Sequence, residues 1–199
     1  MKNLIIMILI LSSSSIFGQH LSELNQTIGL TDSLTNEKEV RIYKDFGDQS
    51  HTQVFRMYQD SSKIWRAELI NYKTRVPNPA KFNLHKQILI PKSEMDWIWL
   101  NIIKTNIQHL PNMSDIQWKL KEEPVIKEIN REKQLIWKIT LMSGGEVFEV
   151  QIRLGDKSNR ISYSNPDSYL RMYEGVDELI YFNELLNVVR TEFGVWENE

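Results

Sequence analysis

The side chains able to do chemistry are few and widely spaced in this chain. The four His residues, His20, His51, His85 and His109, include no pair at i, i+4 and no His-Glu spacing that would set two metal ligands on one helix face. Cys is absent, which removes thiolate zinc sites, Cys nucleophiles and disulfides together. Glu122 with Glu123, and Glu146 with Glu149, have the functional groups for acid–base cleavage of a glycoside. Neighbouring positions on a strand point to opposite faces, however, so closeness in sequence does not make either a working pair. Ser143, followed by Gly144 and Gly145, reads as hairpin chemistry and not as a nucleophile elbow, and no glycine-rich phosphate loop occurs. No catalytic residue, metal site or cofactor is predicted.

Binding chemistry is better represented. Arg160, Ser162, Tyr163, Ser164 and Asn165 form the densest polar cluster, read either as an edge strand running into a helix cap or as a hydrogen-bonding rim for a ligand. A second group, Arg41, Tyr43, Arg56, Tyr58 and Arg66, falls on one face of a predicted sheet, with Asp45 and Glu68 among it. Arg and Tyr are enriched where proteins meet partners, but alternating charges also finish an ordinary solvated sheet face, and that second reading is preferred. Trp97 is the remaining anchor candidate, four residues before Asn101 and so projecting towards the polar stripe of its helix.

The elements that must position these groups follow from apolar periodicity. Val40, Ile42 and Phe46 alternate with Arg41, Tyr43 and Asp45, a first strand closed by a turn at Gly47 and Asp48. Thr52 to Gln59 and Lys63 to Tyr72 alternate in the same way around the Asp60-Ser61-Ser62 turn, completing a meander. Its inner face is assigned Val40, Ile42, Phe55, Met57, Trp65, Ala67 and Leu69. Val76 to Lys81, with Pro77 and Pro79, is predicted as a loop, and Gln87 to Ile90 as a short strand stopped by Pro91. Ser93 with Asp96 suggests a capping box opening a mostly buried helix from about Glu94 to Gln108. Ile116, Trp118 and Leu120 then alternate as a strand, and Pro124 to Ile129 adds a short one. Leu135 to Leu141 is expected to turn through Met142 to Gly145 into Glu146 to Leu154, followed by a strand at Arg160 to Ser164. Asn165 and Pro166 start a brief helix through about Met172. Leu179, Phe182, Leu186, Val189 and Phe193 step by three and four through a final helix, Asp177 to Phe193, stopped by Gly194.

Strands, helix, strands, helix describes an α+β fold, an antiparallel sheet of about seven or eight strands covered by two main amphipathic helices. One domain is expected over residues 39 to 199, with the order of elements in 39 to 110 and 116 to 196 open to reading as a pseudo-repeat but without convincing residue identity between them. Gln19 to Lys38 is polar, without a sustained apolar period, and is read as a flexible lead-in.

Ahead of it, Met1 to Gly18 has the zones of a secretory signal: Lys2, the apolar run Leu4 to Leu11, and the small-residue stretch Ser12 to Gly18. The apolar run is too short to span a bilayer and no Cys follows it, so export to the periplasm or medium without a stable membrane anchor is predicted. Removing that segment takes one base, Lys2, from the 24 Lys and Arg and leaves the 26 Asp and Glu unchanged. A near-neutral chain with interspersed charges lacks the basic surplus that drives phosphate binding, so nucleic acid is not an expected partner.

The stretch Ile161-Ser162-Tyr163-Ser164-Asn165-Pro166, with Tyr169, Tyr173 and the final amphipathic helix, resembles small exported proteins of Bacteroidota-type Gram-negative bacteria. The Glu39 to Leu69 meander shares that resemblance, and so does Gln19 directly after the expected cleavage point. The likeness is one of pattern across most of the chain and implies no activity. The leading expectation is a non-enzymatic module that binds another protein, of inhibitor or immunity type. A carrier of an apolar small molecule, held between the sheet and the Glu94 to Gln108 helix, is the alternative, and a small hydrolase comes third.

Overall fold

The computed structural model describes residues 21–45, 51–75, 78–137, 142 and 144–196. The expected export signal, the Gly47-Asp48 turn, Ser143 and the strand end at Ile139 and Leu141 lie outside the described residues. Two compact units are present, Met1–Thr35 and Asn36–Glu199.

In the first unit, residues 21–28 are helical (α1) where the sequence reading placed only a lead-in. Gly29, at φ 77°, ends the helix, and the Leu30 amide closes on the Asn25 carbonyl at 2.8 Å. The Asp32 carboxylate reaches back to accept from Ser22 Oγ at 2.7 Å and Asn25 Nδ2 at 3.1 Å. Leu24 and Ile28, four apart, are buried along it, an apolar stripe of barely one turn that is too short to stand out in the sequence.

The second unit is α+β. Its strands are β1 (Lys38–Asp45), β2 (His51–Gln59), β3 (Trp65–Arg75), β4 (Asn78–Ile88), β5 (Val125–Ile129), β6 (Glu132–Ile136), β7 (Val147–Leu154) and β8 (Lys157–Ser164). Six form one antiparallel sheet in the order β4-β3-β2-β1-β7-β8, and β5 and β6 form a separate two-stranded ribbon. β1 is central: Ile42 faces Phe55 on one side and Val150 on the other. Its partner β7 joins the first meander to the second half of the chain.

Helices α2 (Met95–Lys104) and α4 (Asp177–Phe193) contribute to one core with the inner face of this sheet. The expected inner set is buried or packed against that core, and Phe148, Val150, Ile152, Ile161 and Tyr163 extend it. α4 forms as its period requires, with Leu179, Phe182, Leu186, Val189 and Phe193 all buried. Its acids lie in the first turn and Arg190 in the last, complementing the helix dipole. Gly194, at φ 63°, supplies the left-handed stop, its amide bonding Arg190 O at 2.9 Å. The brief helix α3 (Pro166–Met172) is tied to α4 by a two-pronged pair, Arg190 Nη1 and Nη2 on the two Asp167 oxygens at 2.8 and 2.7 Å.

Several expectations are corrected. The expected loop at Val76 to Lys81 becomes strand from Asn78, and β4 runs eleven residues. It is an edge strand, where a Pro at position 79 costs no ladder bond in the interior of the sheet. α2 ends at Lys104 because Thr105 folds its hydroxyl onto Ile102 O at 2.7 Å and Asn106 turns left-handed at φ 58°. No side chain caps its start, and Asp96 accepts the indole N–H of Trp65 at 2.9 Å instead of closing a box. Asp96, Trp97, Leu100, Asn101 and Lys104 are exposed, so this helix is half open, not mostly buried. The alternation Ile116, Trp118, Leu120 is not a strand but a 3-10 turn (Met113–Ile116) and the bends after it; Ile116 and Leu120, four apart, are buried together. Finally, β6 does not turn back onto β7. Asn165 holds the turn before β7, donating from Nδ2 to Gly144 O at 2.7 Å and accepting the Glu146 amide at 3.0 Å.

Candidate functional site

The outer sheet face does not carry the open row of Arg and Tyr expected of it. β1 is the central strand, and on it Arg41 and Tyr43 are buried, as are the outward apolar residues Val54 and Ile70. The buried Glu39 carboxylate organises this face: Oε1 accepts from Arg41 Nε and Arg56 Nε, both at 2.8 Å, and Oε2 from the Asn36 amide and side chain at 3.1 and 2.7 Å. Burial pushes the Glu39 carboxyl up, but the Arg56 hydrogen bond and the two guanidinium charges outweigh it and hold the group below its ordinary value. Arg56 also reaches Glu68 at 3.2 Å and stacks its guanidinium 3.9 Å over the Tyr58 ring. Arg66, further out, pairs with Asp60 at 2.9 Å. The structure thus brings Arg41, Arg56 and Tyr58 together as an internal network, and Arg66 into a surface turn.

The polar cluster at the end of β8 divides by strand alternation. Tyr163 points into the core, stacked on Phe182 with ring centroids 4.1 Å apart, and donates its hydroxyl to Pro111 O at 3.1 Å. Burial, and after it the Glu178 and Asp115 carboxylates, push that phenol up, so it remains a donor. Arg160 is tied to Glu149 across the β7–β8 ladder. Burial pushes the Glu149 carboxyl up against the opposing pull of Arg160. Asn165 is spent on the turn at 144–146. Ser162, with Ser164, is left facing a cleft.

This cleft, of about 620 Å³, lies between the end of β8, the 3-10 turn and the start of α3. Its lining includes Asn112, Gln117, Trp118, Lys121, Ser162, Ser164 and Tyr169. The turn is locked to the β8 edge. Asn112 closes a capping box with Asp115 and accepts the Ser162 amide on Oδ1 at 3.0 Å, and Asn159 Nδ2 donates to Ile107 O and Leu110 O at 2.8 and 2.9 Å. Lys119 anchors its other side by bonding Glu178 at 2.6 Å, its ammonium 5.5 Å from the Trp118 ring. Burial pushes the Glu178 carboxyl up, but the Lys119 bond and the helix amide outweigh it, so the acid is held low and the anchor charged.

Beside the cleft stands the β5–β6 ribbon. Lys121 lines the cleft and sits 5.8 Å over the ring of Trp137, the residue after β6. Every residue of β5 is exposed and all of β6 but Ile136, with Ile126 68% exposed and Val125, Ile129, Leu135 and Trp137 open as well. Sequence reasoning located β5 but assigned it no role, because an apolar side chain in a short strand reads as core until its neighbours are known. Trp118 was missed for the same reason, being given to a strand face; it is 68% exposed. Trp97, by contrast, is exposed where its helical position implied.

Catalytic and metal geometry does not assemble from the other candidates. His51 lies on β2, His85 on β4 and His109 in the turn after α2, while His20 is outside the described residues. Glu146 pairs with Lys44, and Glu149 with Arg160, on opposite faces of the sheet. Glu122 and Glu123 are both exposed. Among the described residues no group of three His, Asp or Glu is placed to hold a metal ion, and no helix is long and apolar enough to cross a membrane. Between the sheet and α2, the space considered for an apolar ligand is occupied by Leu69, Ile98 and Ile102 and by the rings of Trp65 and Trp99, 5.4 Å apart. No family model, no curated protein and no solved structure matches this chain.

Proposed function

We propose that this chain is an exported, non-enzymatic module that binds another protein, and that the β5–β6 ribbon is where the partner adds a strand. The observation that carries the reading is an isolated two-stranded ribbon with apolar side chains in water on both of its faces. Such a ribbon is marginal by itself in water. Covering a Leu, Ile or Val that now stands open returns about 1.5–3 kcal/mol each when burial is complete. Among the described residues each ribbon strand pairs along one edge only, and the other edge is a template for main-chain pairing with an extended segment.

The test places a photo-crosslinking amino acid at Ile126 in producing cells, with Asp156 in the β7–β8 turn as the control position. One discrete adduct at position 126, missing at 156 and lost in a Leu135→Asp background, is the expected result. Both positions are exposed, so the substitutions should leave folding within about 0.5 kcal/mol. No adduct from position 126, or the same adducts from both positions, would overturn the reading.

A further inference from the structure

We infer that the cleft between β8 and the 3-10 turn is a saccharide-binding site, taking one or two sugar units of a glycan. Its size falls within the range of small-ligand sites. What distinguishes it is the combination of groups. Trp118 offers a broad, exposed indole on one side, held by the Lys119–Glu178 anchor. Lining the space are Gln117, Ser162 and Ser164, whose side-chain amide and hydroxyls both donate and accept and form no hydrogen bond among the described residues.

A pyranose ring needs that pairing, since it presents C–H groups on one face and hydroxyls around its rim. Other ligand classes fit less well. Among the described residues no Asp or Glu lines the cleft to supply a cation with counter-charge, and the one ammonium among them, Lys121, does not make a site for a diphosphate. A purely apolar ligand would leave the amide and hydroxyls desolvated and unpaired. The walls are preorganised, because the turn is fixed to β8 through Asn112, Asn159 and the Tyr163 hydroxyl, so little ordering cost falls on binding. Lys121 adds a preference for a sugar bearing a carboxylate.

The experiment is titration of the full chain with a panel of neutral and uronic-acid oligosaccharides, read by Trp fluorescence and by calorimetry. Expected is saturable binding by at least one member, weakened tenfold or more by Trp118→Ala, largely kept by Trp118→Tyr, and weakened by Ser162→Ala with Ser164→Ala. Lys121→Met should weaken the acidic arm alone. Leu135→Asp, which tests the protein-docking ribbon, should leave sugar binding unchanged, so the two proposals fail separately. No saturable signal with any sugar up to about 10 mM, a free-energy gain of only about 3 kcal/mol, would overturn the inference. Equal binding by the Trp118→Ala variant would do the same.

Discussion

Replacing Glu39 by Gln should destabilise the second unit by about 3–5 kcal/mol at neutral pH, the cost of removing one partner from a buried ion pair. The figure can be rebuilt from the contacts. Glu39 is fully buried and uses both oxygens, taking two guanidinium N–H groups on Oε1 and two Asn36 groups on Oε2. Gln keeps the shape but presents one oxygen and an NH2, so a set of donors loses its acceptor and both guanidiniums lose a full negative charge. Two charge-assisted bonds at roughly 1.5–3 kcal/mol each give about 3–6 kcal/mol, which overlaps that range. Arg56 retains Glu68 and the Tyr58 ring, which places its share at the low end of that range. The pH dependence supplies an independent check. Because the folded-state pKa of Glu39 is depressed, its contribution is complete above the unfolded value of about 4.3 and is lost as pH falls through the folded value. Urea unfolding of both proteins between about pH 7 and pH 3 should therefore show a gap that is widest at neutrality and closes in acid. A neutral-pH gap under about 1 kcal/mol, or one that stays constant into acid, would refute the account of this network.

Two further substitutions test how the second half is held. Gly145→Ala should cost about 2–3 kcal/mol in thermal or chemical unfolding, because a Cβ there would lie 1.9 Å from Asn165 Oδ1 at φ +95° and break the two bonds that fix the turn before β7. Gly144→Ala, with φ +75° but open space around it, should cost only the left-handed strain of about 1–2 kcal/mol. Asp167→Asn should cost about 2 kcal/mol, less than a fully buried pair because the Asp167 side chain keeps 30% exposure, and adding Arg190→Met should recover part of the loss. An additive double variant would mean that the pair does not couple α3 to α4.

What could be read from sequence divides along a physical line. α4 and the β1–β3 meander were legible because the inward apolar residues of each recur with one regular period, 3.6 or two, even though β1 is buried on both faces. The Asn165-Pro166 start of α3 was legible from backbone chemistry alone, although its Asn side chain closes the neighbouring turn and does not cap the helix. β4 was not legible, since residues 82–88 are exposed throughout and leave no alternation to find. The opposite error occurred at Ile116, Trp118 and Leu120, where two buried residues four apart on a turn mimic three on a strand. The site suffered most. Its parts come from β8, the 3-10 turn and α3, which meet only in three dimensions, and the outer-face candidates Arg41 and Tyr43 are buried on the central strand, where Glu39 neutralises Arg41.

That internal neutralisation bears on where contact chemistry is left in the molecule. With Glu39 serving two arginines and Glu68 a second group of one of them, the central outer face keeps little charge with which to select a partner. The ribbon has the reverse character. Ile126 and Leu135 face each other near its base, while Glu128 and Lys133 are paired towards its tip. The charged tip guards a ribbon that would otherwise invite indiscriminate edge pairing, since a wrong segment must bury or oppose those charges. It also sets register. On the proposed strand addition, a one-residue slip moves every side chain of the added strand to the other face, so the favoured alignment sets apolar residues beside the base and opposite charges beside the tip. Reversing both charges, Glu128→Lys with Lys133→Glu, keeps opposite charges at facing register positions and should leave stability within about 0.5 kcal/mol. It should nevertheless abolish the Ile126 crosslink, and retention of that adduct would show that apolar contact alone, without register, accounts for docking.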